Sequence, residues 1–282
     1  MEIISTPAGM TAWANRTLGA GETIGLVPTM GFFHEGHLRL MRTAKEKADR
    51  TVVSLFVNPI QFGANEDLGR YPRDFSRDCR LAESQGVDVL FAPEPRDMYP
   101  AEVVTRVIVS GLTDVLCGKS RPGHFAGVTT VVAKLFHLIK PHLAVFGRKD
   151  FQQLAVIERM VADLNWDVRI IGHPIVREPD GLAMSSRNTY LSIPERQAAL
   201  CLSRAIGHAR KRVREGLAET EILLREVEEL LRRESVIIEY VSIVDQVTLR
   251  PQARLRNGAV LAMAVKVGAT RLIDNDNLFE EQ

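Results

Sequence analysis

Two histidines lie three residues apart in a glycine-containing turn, within the stretch PTMGFFHEGH that runs from Pro28 to His37. Gly31 and Gly36 permit a tight approach of the backbone to a ligand. A helix predicted to begin near His37 presents free N–H groups and the positive end of its dipole. Because His34 and His37 can lie on the same side of this turn, the segment is suited to bind the α- and β-phosphates of a nucleotide.

This turn has two other interpretations. One histidine could serve only to cap the turn, which is a structural role. A zinc site is disfavoured because His-Glu-Gly-His is one residue short of the HExxH spacing and no cysteine is suitably placed nearby.

A second polar cluster, FGRKDFQQ, ends another predicted strand and opens a helix. Gly147 permits close backbone approach, Lys149 supplies a point charge for a phosphate, and Gln153 lies one helical turn further on. Asp150 has several available roles, which the sequence leaves open. It could cap the helix, and it could also bind a ribose hydroxyl or Mg²⁺.

The stretch from Val57 to Phe62 closes a third predicted strand with two amides, Asn58 and Gln61. Neutral hydrogen-bonding groups next to apolar ones suit a small hydroxy acid better than a bare phosphate. Taken alone, an Asn-Pro turn at the end of a strand is common and weakly informative.

Two further loops carry groups that can bind anions. Ser185, Ser186 and Arg187 could close over a triphosphate, although a Ser-Ser-Arg sequence by itself is more often a solvated loop. His124, in the stretch RPGHF, either points towards the ligand or caps the helix that follows.

The elements that must position these residues alternate between strands and helices. Strands are predicted at Ile24–Pro28, Thr51–Val57, Val87–Phe91, Leu143–Phe146 and Val168–Gly172. Helices are predicted from Leu38 to Ala48, around Asp74–Gln85, over Phe125–Leu138 and from Leu154 to Val161. This βαβα order predicts a parallel sheet with right-handed crossovers, whose ligands bind at the carboxyl ends of the strands.

The composition changes after about Leu191. A helix is predicted after Pro194 and another over Thr220–Arg233, and two β-rich segments follow at Val236–Val244 and Ala259–Val267. We therefore predict an α/β fold in two domains, a larger nucleotide-binding domain over residues 1–175 and a smaller α+β domain over residues 176–282.

The charge balance, the cysteines and the apolar stretches of the chain limit the classes of protein to which it can belong. Lys plus Arg number 36 and Asp plus Glu 35, so the charge balance gives no reason to expect a nucleic-acid partner. Cys79, Cys117 and Cys201 are isolated, which favours a reducing compartment. The N-terminus lacks the pattern of a signal peptide, and apolar stretches such as Val52–Val57 are too short to span a bilayer. We expect a cytoplasmic protein without a membrane partner.

Seven stretches together resemble the pantothenate synthetase family, ATP-dependent ligases built on a nucleotidyltransferase-like Rossmann fold. They are PTMGFFHEGH, VSLFVNPIQF, RYPRDFSRDC, SRPGHFAGVTT, FGRKDFQQL, GLAMSSRNTYLS and TRLIDN. They occur in the family's order and cover nearly the whole chain. The resemblance implies an AMP-forming ligase that activates pantoate as an adenylate with ATP and passes the acyl group to β-alanine. It also implies a homodimer and a requirement for Mg²⁺.

The resemblance also implies site residues, which share the binding of ATP or of the acid and amine substrates. The ATP-binding residues would be Met30, Gly31, Phe32, Phe33, His34, Glu35, Gly36, His37, Gly147, Arg148, Lys149, Asp150, Val176, Met184, Ser185, Ser186 and Arg187. Asn58, Gln61, His124, Val128, Val131 and Gln153 would bind pantoate or β-alanine. His34, His37 and Lys149 would be catalytic, His37 as the acid. Apart from the resemblance, we expect Asp150 to be a Mg²⁺ ligand and residues 176–282 to act as a lid.

The chain departs from the family pattern at Arg148, where Glu or Gln is usual, and at Phe33, where a smaller residue is usual. Two other functions use parts of the same motif set. A nucleotidyltransferase would use the histidine turn but would need a basic acceptor pocket where this chain has Asn58, Gln61 and Gln153. A non-catalytic nucleotide-binding module would not need the histidines, Lys149 and the Ser-Ser-Arg loop together.

Overall fold

The computed structural model describes residues 1–64, 66–100 and 104–280, and the chain forms two compact units. The first unit comprises Met1–Ser110, Arg121–Arg148 and Val156–Pro174. The second comprises Gly111–Ser120, Lys149–Ala155 and Ile175–Gln282. The second unit therefore includes two short stretches that precede residue 176 in the chain. The division into folding domains at residue 175 stays a prediction.

The regular elements alternate through the first half of the chain, as the hydrophobic pattern predicts. In the described residues the strands are β1 (Glu2–Ile4), β2 (Ile24–Thr29), β3 (Arg50–Leu55), β4 (Val89–Phe91), β5 (Leu143–Gly147), β6 (Arg169–His173), β7 (Ile237–Asp245), β8 (Ala259–Val267) and β9 (Thr270–Asn277). The helices are α1 (Pro7–Gly19), α2 (Glu35–Lys47), α3 (Phe75–Ser84), α4 (Pro95–Met98), α5 (Leu116–Ser120), α6 (His124–Ile139), α7 (Phe151–Asp163), α8 (Ile193–Ala199), α9 (Cys201–Arg214) and α10 (Thr220–Arg232). Short 3₁₀ helices lie at Pro59–Gln61, Arg148–Asp150 and Ser186–Tyr190.

The first unit is built on a parallel sheet of six strands within the described residues, in the order β1-β4-β3-β2-β5-β6. The chain runs from β2 to β3 and β4 on one side, whereas β5 and β6 lie on the other side of β2. The strand order therefore changes direction between β2 and β5. In sheets of this kind a ligand binds beyond the carboxyl ends of the strands at that change of direction. Thr29 and Gly147 end the two strands concerned.

Burial explains why β2 and β3 are nearly continuous apolar runs. Leu26 and Val27 in β2 and Val52 and Val53 in β3 are fully buried, and they point to opposite faces of the sheet. On one face, α2 contributes Met41 to the same core. The sheet therefore fixes β2 firmly, and the turn that follows its last residue starts from a rigid position.

The second unit contains an antiparallel sheet in the order β7-β8-β9, covered by helices. Its core joins apolar residues of α9, α10 and β8, namely Leu202, Ile206, Leu223, Val227, Leu261 and Met263. The predicted fold class, a parallel α/β sheet with a smaller α+β part, is thereby confirmed.

Several elements differ from the sequence-based predictions. The first twenty residues form β1 and α1, which were not predicted, and the helix expected after Pro194 is divided into α8 and α9 at Leu200. Strand β9 was also missed. It contains the sequence DNDN, which has low intrinsic strand preference, and the burial of Asp274 and Asn275 in hydrogen-bonded positions overrides that preference.

In the described part of the chain, no helix combines the length and the apolar character needed to cross a membrane.

Candidate active site

The turn after β2 has a backbone shape that requires glycine at its centre. Gly31 has a φ of +85°, and Phe32 follows with a φ of +51°. A Cβ atom on residue 31 would lie 3.0 Å from Oδ2 of Asp78 and 3.1 Å from a methyl carbon of Leu55. Both the left-handed backbone and the lack of space therefore favour glycine.

The carboxylate of Asp78, in α3, holds this turn in place. Its two oxygens accept hydrogen bonds from the backbone N–H groups of Phe32 at 2.6 Å and Phe33 at 2.7 Å. Burial raises the pKa of Asp78, although the two N–H groups and the nearby Arg77 oppose that change. The guanidinium of Arg77 also lies 5.1 Å from the ring centroid of Phe32. No role was assigned to Asp78 from the sequence, although it belongs to the stretch RYPRDFSRDC.

His34 and His37 meet at the start of α2. The helix begins at Glu35 with His34 as the residue before it, so the expectation of a start near His37 is wrong by two residues. The imidazole centroids are 4.0 Å apart with an angle of 33° between the rings. The His34 backbone N–H donates to Nδ1 of His37 at 3.3 Å. Since Nδ1 accepts, the proton of a neutral His37 ring resides on Nε2, which can donate to an anion.

Two other residues of the turn have structural contacts. Phe33 is fully buried, and its ring centroid lies 5.6 Å from that of His37, so the larger side chain packs behind the imidazole. Glu35 accepts hydrogen bonds from Arg42 at 2.7 Å and Arg39 at 3.0 Å. The hydrogen bond from Arg42 is the main cause of a lowered Glu35 pKa. Gly36 lies in the first turn of α2.

Asn58 and Gln61 form a buried amide pair after β3. Nδ2 of Asn58 donates to Oε1 of Gln61 at 3.0 Å and to the carbonyl oxygen of Gly127 at 3.1 Å. Nε2 of Gln61 lies 3.2 Å from the sulfur of Met30, in the turn after β2. A Cβ atom on residue 127 would lie 2.5 Å from the carbonyl oxygen of Ile60, so α6 can approach this segment only through a glycine.

His124 is the first residue of α6, and both of its ring nitrogens are engaged. Nε2 lies 2.9 Å from Nη1 of Arg121, and Nδ1 lies 2.9 Å from the carbonyl oxygen of Gln61. An arginine can only donate and a carbonyl can only accept, so the ring is neutral with its hydrogen on Nδ1. Arg121 is itself held by both carboxylate oxygens of Glu66 at 2.6 Å. Val128 and Val131, also predicted site residues, are buried further along α6.

In the second unit, Lys149 is the middle residue of the 3₁₀ helix Arg148–Asp150, which follows Gly147. Burial lowers the pKa of Lys149, and Arg187 lowers it further, while Asp150 and Asp274 oppose this. The Lys149 carbonyl oxygen accepts a 2.8 Å hydrogen bond from Asn275. Arg148 belongs to the first unit and is exposed. Burial raises the pKa of Glu158, and the positive charge of Arg148 partly offsets this rise.

The neighbouring glutamines of α7 have different environments. Gln152 is buried, and its Nε2 donates to the carbonyl oxygens of Leu112 and Val115, each at 2.8 Å. Gln153 is partly exposed. The hydrogen bonds of Gln152 give it a structural role, and the ligand-binding role of Gln153 stays a prediction.

The Ser-Ser-Arg loop has internal hydrogen bonds. The Met184 N–H donates to the carbonyl oxygen of Val176 at 3.0 Å, which ties the two predicted site segments together. Oγ of Ser185 accepts from the backbone N–H of Arg187 at 3.3 Å. Ser186 is buried in the 3₁₀ turn. These hydrogen bonds give the loop a defined backbone, while Met184, Ser185 and Arg187 stay partly exposed.

The described residues offer few candidate ligands for a Mg²⁺ ion. Within the described residues, no three His, Cys, Asp or Glu side chains come together as a potential metal cage. Asp150 is an exposed carboxylate beside Lys149. Mg²⁺ in phosphate-transfer sites is usually held by one or two carboxylates together with substrate phosphates and water. The residues present fit an ion bound in that way.

The comparison with family models decides the family. Residues 2–277 match the model described as pantoate-beta-alanine ligase. The chain belongs to this family. It is 56% identical over 276 residues to a pantothenate synthetase of Heliobacterium modesticaldum, covering 98% of each chain.

Solved structures of the family have the same fold. The chain matches a pantothenate synthetase of Thermus thermophilus with a TM-score of 0.94 and 45% identity, covering 99% of this chain and 100% of the other. It also matches a pantoate-beta-alanine ligase of Francisella tularensis complexed with beta-gamma ATP and beta-alanine. There the TM-score is 0.82 and the identity 32%, over 100% of this chain and 99% of the other.

Proposed function

We propose that the chain condenses pantoate with β-alanine to give pantothenate, using ATP and releasing AMP and pyrophosphate through a pantoyl adenylate. The observation that carries this proposal is the pair of imidazoles, 4.0 Å apart, at the amino end of α2. They follow a left-handed turn at the change of direction in the sheet, where a nucleotide phosphate is expected. Family membership and the ligands of the Francisella relative support the same conclusion.

In the first step a carboxylate oxygen of pantoate attacks the α-phosphorus of ATP in line, and the bond to pyrophosphate breaks. Both reactants are anionic, so the step needs donors aimed at the charge that develops on phosphate oxygens. In the first unit, Nε2–H of His37 and the amino end of α2 would supply such donors, together with His34. In the second unit, Lys149 and Arg187 would supply positive charge. No protein nucleophile is required.

Neutral groups would bind the acid substrate. Asn58, Gln61 and Gln153 carry amides, which can bind a hydroxyl and a carboxylate without trapping a phosphate. His124 would contribute shape rather than proton transfer, because both of its ring nitrogens are hydrogen bonded. Val128 and Val131 would give the apolar part of the pocket wall.

In the second step the neutral amine of β-alanine attacks the acyl carbon, AMP leaves, and the amine loses a proton. The adenylate hydrolyses readily, so water must be excluded while it persists. The lid role of residues 176–282, and of Ser185–Arg187 in particular, is proposed for this reason. Asp150 would hold a Mg²⁺ ion, which would neutralise charge on the nucleotide phosphates. We also propose a homodimer that acts in the cytoplasm.

Pantoate-dependent exchange of labelled pyrophosphate into ATP, without β-alanine, tests the adenylation step. We expect exchange that requires pantoate and that falls roughly 10²–10³-fold in Lys149→Ala. Lys211→Ala is the matched control, because Lys211 is 73% exposed in α9, and it should exchange at the wild-type rate. Folded protein that binds ATP without exchange would contradict the proposal. It would favour a nucleotide-binding module or transfer of a nucleotide to a different acceptor.

A further inference from the structure

The orientation of the Gln61 amide is determined by contacts that begin at a backbone carbonyl. The Gly127 carbonyl oxygen can only accept, so the Asn58 amide must turn its NH₂ towards it, at 3.1 Å. The same NH₂ lies 3.0 Å from the Gln61 side chain, which must therefore present its oxygen. The NH₂ of Gln61 then faces the other way, towards Met30 at 3.2 Å.

The hydroxyl of Tyr99 completes this chain of hydrogen bonds. It donates to Oδ1 of Asn58 at 2.8 Å. The reversed Asn58 amide would lose the bond to Gly127 and place two oxygens face to face. Tyr99 and Gly127 therefore stabilise the same orientation of Asn58 from its two ends. Burial raises the pKa of Tyr99, so the hydroxyl keeps its proton at neutral pH and remains a donor.

Tyr99 is itself well anchored. Its ring centroid lies 6.1 Å from that of Phe56, just after β3, and 5.6 Å from the ammonium of Lys134 in α6. Contacts on two sides of the ring hold the hydroxyl against Asn58. Tyr99 follows α4, and 41 residues separate it from Asn58 along the chain.

We infer that Tyr99 is a positioning residue that, together with the Gly127 carbonyl, keeps the NH₂ group of Gln61, rather than its oxygen, directed towards the hydroxy acid substrate. The inference rests on the proposed role of Gln61 in binding pantoate. The sulfur of Met30 is a weak acceptor, so the NH₂ of Gln61 retains the capacity to donate to a carboxylate or hydroxyl oxygen. Without the Tyr99 bond, only the Gly127 carbonyl opposes a joint reversal of the two amides, and in the reversed state Gln61 would turn an oxygen towards an anionic substrate.

The test is Tyr99→Phe, which removes the hydroxyl alone. We expect the KM for pantoate to rise about tenfold, with kcat within about twofold and the KM values for ATP and β-alanine unchanged. A purely structural role would instead lower the melting temperature and change all three KM values. The matched control is Tyr240→Phe, because Tyr240 also has a hydrogen-bonded hydroxyl, 3.0 Å from the Cys117 sulfur in the second unit. Its KM for pantoate should match that of the wild type.

A double-mutant comparison decides whether Tyr99 acts through Gln61. If it does, Tyr99→Phe has little further effect on the pantoate KM of Gln61→Ala. Additive effects, or a pantoate KM in Tyr99→Phe within twofold of the wild type, would overturn the inference. Should Tyr99→Phe fail to fold, Asn58→Asp breaks the same link, and an unchanged pantoate KM in that variant would also overturn it. Wild-type protein without any pantoate-dependent exchange would refute the proposed function itself, and so the two failures are distinguishable.

Discussion

The carboxylate of Asp78 accepts a hydrogen bond of 2.6 Å from the backbone N–H of Phe32, across 46 residues of sequence. This contact fastens α3 to the left-handed turn that precedes His34. A second bond, from the N–H of Phe33 at 2.7 Å, uses the other carboxylate oxygen. The position of the histidine pair therefore depends on a side chain that has no proposed contact with substrate.

Replacing Asp78 with asparagine should weaken ATP binding and stability together. Asparagine keeps one acceptor, so one buried N–H of the turn loses its partner, which costs about 1–3 kcal/mol. We expect a lower free energy of unfolding in urea and a higher KM for ATP. Asp74→Ala is the control, because Asp74 caps the same helix by accepting from the Arg77 N–H at 3.0 Å. It should lose about 1 kcal/mol of stability and keep the wild-type KM for ATP. An unchanged ATP KM in Asp78→Asn would show that the turn keeps its shape without this carboxylate.

The same substitution in two helices should have opposite effects. Gly207 lies within α9, and apart from its chain neighbours and the adjacent backbone of its own helix no described atom lies within 4 Å of a Cβ atom built there. Gly207→Ala should therefore stabilise the protein by roughly 0.5–1 kcal/mol. Gly127→Ala, in α6, would bring its methyl group within 2.5 Å of the Ile60 carbonyl oxygen. It should destabilise the protein by more than about 1 kcal/mol, since backbone must move.

Activity separates these two glycine variants further. Movement of the backbone at Ile60 displaces Gln61, so Gly127→Ala should raise the KM for pantoate, whereas Gly207→Ala should leave it unchanged. Thermal unfolding and steady-state kinetics on both variants measure these effects. If Gly127→Ala and Gly207→Ala were equally stable, α6 would be able to move away from the Pro59–Gln61 turn without a loss of stability.

The sequence predicts the parallel sheet because strands such as β3 are apolar, β-branched and buried on both faces. It also predicts the turns that carry function, since glycines and polar residues follow directly after those strands. The contacts of Asp78 and Tyr99 could not be predicted from the sequence. Each joins segments more than forty residues apart, and nothing in the local pattern shows which backbone group or amide a polar side chain will meet.

Lowering the pH should remove a stabilising contribution of Glu66. Burial raises the pKa of Glu66, but the hydrogen bonds and charge of Arg121 outweigh it and hold that pKa below the usual 4.5. The folded protein therefore binds this proton less readily than the unfolded chain does. The contribution is present above about pH 4.5 and is lost as the pH falls through the folded-state value.

Glu66→Gln isolates this effect. At pH 7 the variant should be about 1–3 kcal/mol less stable than the wild type, because a charge-assisted pair is lost. The difference should shrink as the pH falls below 4.5. Urea unfolding between pH 7 and pH 3.5 measures it, and Glu229→Gln, an exposed change in α10, should follow the wild-type curve. A difference that stays constant over this range would show that the charge of Glu66 is not the source of the stabilisation.

As the pH is raised, the rate of adenylation should begin to decline at a lower pH than it would if Lys149 had the usual lysine pKa of 10.5. Burial lowers the pKa of Lys149 below its usual 10.5, with the charge of Arg187 acting in the same direction against Asp150 and Asp274. The Lys149 ammonium therefore loses its proton at a pH below 10.5. We expect kcat/KM for pantoate-dependent pyrophosphate exchange to fall in that range, because this ratio reports the free enzyme.

The variant that tests the assignment is Lys149→Arg, since a guanidinium stays charged throughout the accessible pH range. Its plateau rate should be lower, by about 10²-fold, because the donor is misplaced, yet its alkaline decline should move to higher pH. Lys211→Arg, at an exposed position of α9, should reproduce the wild-type profile in both respects. If Lys149→Arg declines at the same pH as the wild type, the titrating group is a different one. The lowered pKa of Lys149 would then have no part in the pH dependence of adenylation.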